Sequence, residues 1–131
     1  MTEIAEQTIF LKVKDLEFAY GEVKVLHGLD LKISEKSITC VMGRNGVGKT
    51  TLLRNLVGLE KASSGSIYFQ NKDITNAESF YRASSGFGYV PQGRQIFPLL
   101  TVEENLSVAL AATEGGQREI PKSAYDTFPV L

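Results

Sequence analysis

The chain has one cysteine, one histidine and no tryptophan among its 131 residues. A single cysteine excludes an internal disulfide and is typical of a reducing compartment. Cys40 is predicted to be a small buried core residue. His27 has no cysteine or acidic cluster near it at ligand spacing, so we expect it to be structural or on the surface. A metal site made of protein ligands alone is therefore not expected.

Charge of one sign and long apolar runs are also missing. The chain carries 14 lysines and arginines against 15 aspartates and glutamates, a net charge of −1, which gives no electrostatic reason to expect nucleic acid. No apolar run is long enough to cross a bilayer, and the first residues lack the basic start and apolar core of a signal peptide. We expect one packed domain, with any membrane role carried by a partner.

One motif dominates what is present. Residues Gly43 to Thr50 read GRNGVGKT, a match to G-x-x-x-x-G-K-[ST], the phosphate-binding loop of nucleotide triphosphatases. The apolar, β-prone run Ser37–Met42 precedes it and is predicted to be a buried strand. The run Lys49–Val57 follows, with apolar residues at helical spacing, and Gly58 stands where a helix would end. Strand, glycine loop and helix together predict a phosphate site.

The residue types explain the chemistry expected there. Glycines let the backbone turn its N–H groups inward, and the start of the helix adds the positive end of its dipole. Lys49 is expected to reach the β- and γ-phosphates, and the Thr50 hydroxyl to ligate Mg²⁺. The residues predicted to bind nucleotide in this loop are Gly43, Arg44, Asn45, Gly46, Val47, Gly48, Lys49, Thr50 and Thr51.

Strands are predicted on both sides of this loop. The segments Phe10–Tyr20 and Val25–Ile33 alternate as an antiparallel pair joined around Gly21. Ser66–Phe69 is predicted to be a further strand, followed by a turn in which Asn71 tolerates a positive φ.

The second half of the chain has weaker patterns. Thr75–Ala83 is predicted to be a helix and Phe87–Val90 a strand stopped by the proline that follows. Thr101–Glu104 is a capping box that begins another helix. Thr113–Pro121 is polar and predicted to be a loop or disordered, and Tyr125–Leu131 is a short apolar tail.

Three stretches carry a resemblance to a known family: FAYGEVKVLHGLDLKI, GRNGVGKTTLLRNLVGLEKASSGSIYF and GYVPQGRQIFPLLTVEENL. Together they resemble the N-terminal part of an ATP-binding cassette (ABC) ATPase, over the whole chain. The third stretch is similar to the second ATPase subunit of bacterial importers for branched-chain amino acids, and particularly for urea. The resemblance implies an α/β fold over residues 1–131, the N-terminal part of a P-loop NTPase domain with an antiparallel β subdomain, truncated before the signature and Walker B regions.

The resemblance also implies roles for two residues outside the loop, and ATP and Mg²⁺ as cofactors. Tyr20 matches the aromatic residue that stacks on adenine, although a tyrosine that closes a hairpin is the alternative. Gln92 matches the Q-loop glutamine, whose amide oxygen can ligate Mg²⁺ and help to place the attacking water; an ordinary polar loop residue is the alternative. Lys49 and Gln92 are thus the catalytic candidates, and Thr50 and Gln92 the candidate metal ligands.

Two further stretches resemble motifs of nucleotide enzymes only superficially. Glu114–Gln117 resembles the end of the LSGGQ signature but lacks its Leu-Ser start, so we interpret it as a flexible loop. Asn71–Asp73 resembles part of the guanine-reading N-K-x-D motif, but Ile74 stands in the fourth position. Past residue 59 no four apolar residues end in Asp-Glu, so a Walker B aspartate and a general-base glutamate are missing.

The function implied is the ATP-binding subunit of an importer that drives uptake of urea or branched-chain amino acids by ATP hydrolysis. The implied partners are membrane-spanning permease subunits and a second ATPase subunit in a head-to-tail dimer, without nucleic acid, and the implied location is the cytoplasmic, inner face of the plasma membrane. This truncated chain is expected to lack hydrolysis by itself. A soluble ABC-type ATPase without a membrane partner and an inactive gene fragment remain alternatives; a GTPase or small kinase is disfavoured because no D-x-x-G or N-K-x-D occurs.

Overall fold

The computed structural model describes residues 8–93, 95–112 and 119–130. The contacts group the chain into two compact units, Met1–Ser79 and Phe80–Leu131. The assignment of residues 1–131 to a single partial domain stays a prediction. No helix in the described ranges combines the length and the apolar character that a membrane span requires. The elements in chain order are β1 (Ile9–Tyr20), β2 (Val23–Ser34), α1 (Lys49–Leu56), β3 (Ser64–Phe69), β4 (Lys72–Asp73), α2 (Ser79–Ser84), α3 (Val102–Leu110) and α4 (Lys122–Thr127).

The first unit is built on a four-stranded antiparallel sheet in the order β2-β1-β3-β4. In β1, Val13 is buried while its neighbours Lys12 and Lys14 are exposed, as the two-residue period of a strand requires. Asp15, with a φ of 47°, lies where the register shifts, so that Leu16 returns to the buried face. The predicted pairing of the first two strands is confirmed.

The core of the first unit is apolar and comes from the three long strands, α1 and the residue after β4. Its members are Leu11, Val13, Leu16, Phe18, Leu26, Leu52, Leu56, Ile67, Phe69 and Ile74. The predicted helix after the glycine loop is confirmed as α1, and Gly58, with a φ of 78°, follows its end as expected. The predicted turn after β3 is also confirmed, because Asn71 has a φ of 63°.

The predicted strand Ser37–Met42 is wrong. These residues are irregular and exposed, with Ile38 96% and Met42 89% accessible to solvent, and the thiol-bearing Cys40 is exposed instead of buried. The run has strand composition, but a strand forms only where a neighbouring strand accepts its N–H and C=O groups. Among the described residues no strand pairs with it.

The second half departs from prediction in three places. Phe87–Val90 forms no strand, and Val90 is 92% exposed. The helix expected from Thr75 begins only at Ser79, since the hydroxyl of Thr75 accepts the N–H of Ile67 at 2.8 Å in a turn beside β3. The apolar tail from Tyr125 lies partly in α4, a helix that the sequence analysis did not foresee.

The predicted loop Thr113–Pro121 lies mostly outside the described residues. Residues 113–118, which include the stretch Glu114–Gln117, are among those not described, and residues 119–121 are irregular. The interpretation of Glu114–Gln117 as a loop therefore stays a prediction.

The capping box at the start of α3 is confirmed in full. The Thr101 hydroxyl accepts the N–H of Glu104 at 3.2 Å, and the Glu104 carboxylate accepts the N–H of Thr101 at 2.7 Å. Hydrogen bonds to the Glu104 carboxylate, first from the Thr101 backbone and then from the Thr101 side chain, lower the pKa of Glu104 below its ordinary value. The N-terminus of α3 is thus capped by hydrogen bonds between two nearby residues of the chain.

Gly65 lies where β3 comes close to β1, and this contact supports a prediction. It has a φ of 91°, and a Cβ there would press on the Asp15 carbonyl and lie 2.7 Å from the Leu16 Cα. Gly28 is a matched control, because it has a φ of 73° and nothing within 4 Å of an added Cβ. We expect Gly65→Ala to lower the free energy of unfolding by about 1–3 kcal/mol more than Gly28→Ala, measured by urea denaturation. Equal losses would show that the close approach to β1 is unimportant.

Candidate functional site

The glycine loop before α1 depends on two left-handed residues. Gly46 and Gly48 have φ values of 83° and 101°, which residues with a Cβ adopt only with strain. Gly48 is also the residue that caps the N-terminus of α1. Of these two residues, Gly48 is a glycine of the motif, whereas Gly46 lies at one of the variable positions of the motif.

Strand β2 lies directly behind this loop. A Cβ at Gly48 would be 2.9 Å from Val25 Cγ1 and 3.2 Å from Leu26 Cδ2. Leu26 belongs to the buried core, and so does Leu52 on α1. The start of α1 is thus positioned by packing on the β1–β2 hairpin, and Gly48 leaves no room for a side chain between them.

The first turn of α1 can receive an anion. Its first α-helical bond runs from the N–H of Leu52 to the carbonyl of Gly48 at 2.8 Å, and no side chain caps the turn. The N–H groups ahead of Leu52 have no partner within the helix, and the positive end of the dipole lies beside them. Thr50 is exposed here, whereas Thr51 is 8% exposed and faces the core. Of these two hydroxyls, the one on Thr50 is the better placed for a metal ion in solvent.

Lys49 folds back over the loop. Its Nζ donates to the carbonyl oxygens of Gly43 and Arg44, each at 2.7 Å. Among the described residues it has no carboxylate within salt-bridge distance. Its positive charge is therefore held at the loop by neutral carbonyls, and together with the helix N-terminus it makes a place where a phosphate can bind.

Tyr20 lies in the same unit, at the end of β1. The residue is 48% exposed, and its ring meets the ring of the buried Phe18 edge-on, with ring centroids 4.8 Å apart and planes at 85°. It pairs with Val23 across the hairpin, next to Gly21 with a φ of 58°. A ring held by a buried neighbour and half open to solvent can stack on a base, and it also closes the hairpin.

Gln92 belongs to the second unit. It is exposed, lies in an irregular segment and precedes Gly93, which has a φ of 84°. Arg94 lies outside the described residues. The structure thus brings Tyr20, Lys49 and Thr50 into one unit, and the joint roles predicted for Gln92 stay predictions.

Other metal sites find no support in the described ranges. They contain no group of three or more histidine, cysteine, aspartate or glutamate residues that could hold an ion. His27 is exposed and faces Glu17 across the β1–β2 ladder, as expected for a surface residue. Hydrogen bonds from Lys24 and Ser64 lower the pKa of Glu17, so this carboxylate takes part in the sheet's surface network.

Two supporting residues were missed from sequence. The sequence predicts Val25 to lie in a strand, but its pattern does not indicate that its side chain lies behind the glycine loop. Asn105 lies in the helix predicted after the capping box, and its side chain forms hydrogen bonds with the segment before that helix. Neither residue carried a sequence signal: Asn105 follows two glutamates in the first turn of its helix, and Val25 is one apolar residue among several in β2.

Comparisons with known proteins identify relatives of this chain. A family model described as ABC transporter matches residues 26–128. The chain is 36% identical over 122 residues to a probable branched-chain amino acid transport ATP-binding protein of Archaeoglobus fulgidus, covering 92% of this chain and 52% of that protein. It is 37% identical over 113 residues to a high-affinity branched-chain amino acid transport ATP-binding protein of Pseudomonas aeruginosa, covering 86% of this chain and 48% of that protein.

Solved structures give the same result. A nucleotide-free ATP-binding cassette from an ABC transporter superposes with a TM-score of 0.71 at 32% identity, over 92% of this chain and 46% of that one. A cassette in its ADP conformation gives 0.69 at 31% identity, over 92% and 46%. The chain spans about half the length of the relatives it matches. It belongs to the ABC transporter family and corresponds to the N-terminal portion of an ABC ATPase domain, an antiparallel sheet with short helices.

Proposed function

We propose that the loop Gly43–Thr51 binds the phosphates of ATP, with Lys49 on the β- and γ-phosphates and Thr50 as a ligand of Mg²⁺. The observation that carries the proposal is the loop itself: two left-handed glycines lead into an uncapped helix N-terminus, and the Lys49 ammonium lies across the loop. Phosphate groups are bound by such backbone N–H groups and by lysine charge together.

Tyr20 and Gln92 complete the proposal. Tyr20 stacks on adenine with the exposed face of its ring. Stacking requires only a flat π-surface on the base, so it gives only a modest preference for ATP over GTP. Gln92 ligates Mg²⁺ and links the nucleotide state to a membrane-spanning partner. The strand expected before Gln92 is not formed, so the role of Gln92 is supported only by the sequence around it.

At the level of the whole protein, we propose the ATP-binding subunit of an importer for branched-chain amino acids or urea. Such a subunit would pair with a second ATPase subunit and with permease subunits at the inner face of the plasma membrane. Amino acids are supported by two relatives named for branched-chain amino acid transport, whereas another relative at 36% identity is named for sulfate and thiosulfate. Urea rests on the resemblance of residues 88–106 alone.

The substrate is tested by transport. A full-length cassette that carries these residues would be reconstituted with its permease and binding protein in vesicles, and ATP-dependent uptake of labelled leucine and labelled urea compared. We expect uptake of one of the two, and its loss when the cassette carries Lys49→Ala. Uptake of neither, with sulfate or a sugar taken up instead, would contradict the substrate class and leave the ATP site intact.

Nucleotide binding by the 131-residue chain tests the site itself. We expect Lys49→Ala to weaken binding of a fluorescent ATP analogue by at least about tenfold, because a charge-assisted bond to phosphate is lost. Lys61→Ala is the matched control, since it removes the same charge from an exposed position outside the loop. We expect neither the unchanged chain nor its variants to release phosphate from ATP, because the sequence lacks a Walker B aspartate and a general base. Phosphate release by the unchanged chain that disappears in Lys49→Ala would refute the expectation that the chain does not hydrolyse ATP.

The contact between Gly48 and β2 gives an independent test. Gly48→Ala adds a Cβ 2.9 Å from Val25 Cγ1, whereas Gly46→Ala adds one with nothing within 4 Å. Both substitutions strain a positive φ, so the difference between them isolates the clash. We expect Gly48→Ala to weaken ATP-analogue binding at least about tenfold more than Gly46→Ala, and Val25→Ala to restore part of the loss. Equal effects of the two alanines, or no restoration, would contradict the role of β2 as support for the loop.

A further inference from the structure

Three lysines lie together on the exposed face of the β1–β2 hairpin. Lys12 and Lys14 alternate with the buried Val13 on β1, so both lie on the face of the sheet that points away from the core. Lys32 on β2 is the direct cross-strand partner of Lys12 and therefore shares that face. With three neighbouring residues of the two strands, these lysines line a depression of about 570 Å³ that is open to solvent.

The three positive charges are not neutralised by salt bridges. Among the described residues, none of these three ammonium groups has a carboxylate within salt-bridge distance, whereas Lys24, also on β2, lies 2.8 Å from the Glu17 carboxylate. Like charges directly opposite each other in an antiparallel pair are destabilising. Lys12 and Lys32 therefore repel each other unless an anion binds between them.

Protection of the sheet edge explains only one of these lysines. Lysines on an edge strand hinder pairing with other molecules, and β2 is an edge strand in the order β2-β1-β3-β4. Lys12 and Lys14 instead lie on β1, which pairs with β2 on one side and with β3 on the other. Their partners on β3 are Tyr68 and Ser66, which are uncharged at pH 7. The charges on β1 therefore need another explanation.

Asp30 is the one carboxylate among the residues that line the depression. Its Oδ1 accepts the N–H of Asp15 at 2.8 Å, at the register shift that returns Leu16 to the buried face. Asp30 thus has a structural partner within the hairpin. Three lysines and one aspartate leave the lining residues with a net charge of +2 at pH 7, so a complementary ligand has to be an anion.

We propose that this depression, the hairpin site (Lys12, Lys14 and Lys32), binds a small soluble anion that ends in a phosphate group. Such a group carries about −1.5 to −2 charges at pH 7 and three strong acceptor oxygens, which suit three lysine donors. Lysine ammonium groups bind phosphate as point charges with rotatable donors, so no fixed planar geometry is required. A phosphate between Lys12 and Lys32 also offsets their repulsion. No residue of the loop Gly43–Thr51 lines the depression, so the two sites are separate.

Binding of inorganic pyrophosphate tests the hairpin site. Calorimetric titration at low salt and without Mg²⁺ uses the 131-residue chain with Lys49→Ala, which removes the lysine of the glycine loop. In that chain we expect Lys12→Gln, and separately Lys32→Gln, to weaken binding at least about fivefold, because each removes a charge-assisted bond to phosphate. The matched control is Lys72→Gln, which removes the same charge from an exposed position on β4 outside the depression. Equal weakening by the control, or no binding of pyrophosphate, would overturn the inference.

The carboxylate of Asp30 gives a test in the opposite direction. Asp30→Asn keeps an acceptor oxygen for the Asp15 N–H and removes a negative charge from the lining of the depression. We expect pyrophosphate to bind at least about twofold more tightly to this variant, because a repulsive charge is lost. Unchanged or weaker binding would overturn the inference. Vesicles that contain phosphatidic acid display the same group on a membrane surface, and binding to them without binding of pyrophosphate would also overturn it.

The repulsion between Lys12 and Lys32 is tested by urea denaturation of the same Lys49→Ala chain. Without pyrophosphate, we expect Lys12→Gln and Lys32→Gln each to raise the urea midpoint, and the double variant to gain less than the sum, because the first substitution already removes the repulsion. With pyrophosphate, the midpoint of the chain with both lysines is expected to rise more than that of either variant. A lower midpoint in both single variants without pyrophosphate, or equal rises with it, would contradict the proposed site.

Discussion

The backbone of Gly48 lies against the side chains of β2, and the shape of the candidate site depends on this contact. It sets the distance between the hairpin and the start of α1, because there is room for a hydrogen atom at that position but not for a methyl group. The helix then presents its first turn at the loop, where the Lys49 ammonium also lies. An antiparallel hairpin that contributes only Tyr20 to the expected chemistry is thus the support on which the loop is built.

Patterns of neighbouring residues in the sequence predicted those structural features that interactions between neighbouring residues determine. The alternation in β1 and β2, the glycines of the loop, the apolar spacing of α1 and the capping box of α3 each act over a few neighbouring residues, and each was found where expected. The bulge at Asp15 was not foreseen, because the two-residue period only shows its break once the partner register is known. The need for a glycine at position 65, which faces that bulge, was not foreseen for the same reason.

The two wrongly predicted strands share one cause. Ser37–Met42 and Phe87–Val90 have the composition of strands, and both are irregular in the structure. Strand formation requires a second chain segment at hydrogen-bonding distance, and composition carries no information about that segment. Cys40 was expected to be buried only because its strand was, so the two errors are one. The motif of the glycine loop names its residues directly, but their roles in binding nucleotide stay predictions, whereas the fold class is confirmed.

Exposed apolar side chains and unpaired backbone groups coincide in Ser37–Met42. Ile38 and Met42 are almost fully accessible, and among the described residues no strand covers the run. A short, uncharged, β-prone segment in this condition pairs readily with its own copy in another molecule. The concentration of the protein then matters as much as its sequence: at high concentration the chain is expected to self-associate through these six residues, and a lysine placed among them would be the simplest way to keep it dispersed.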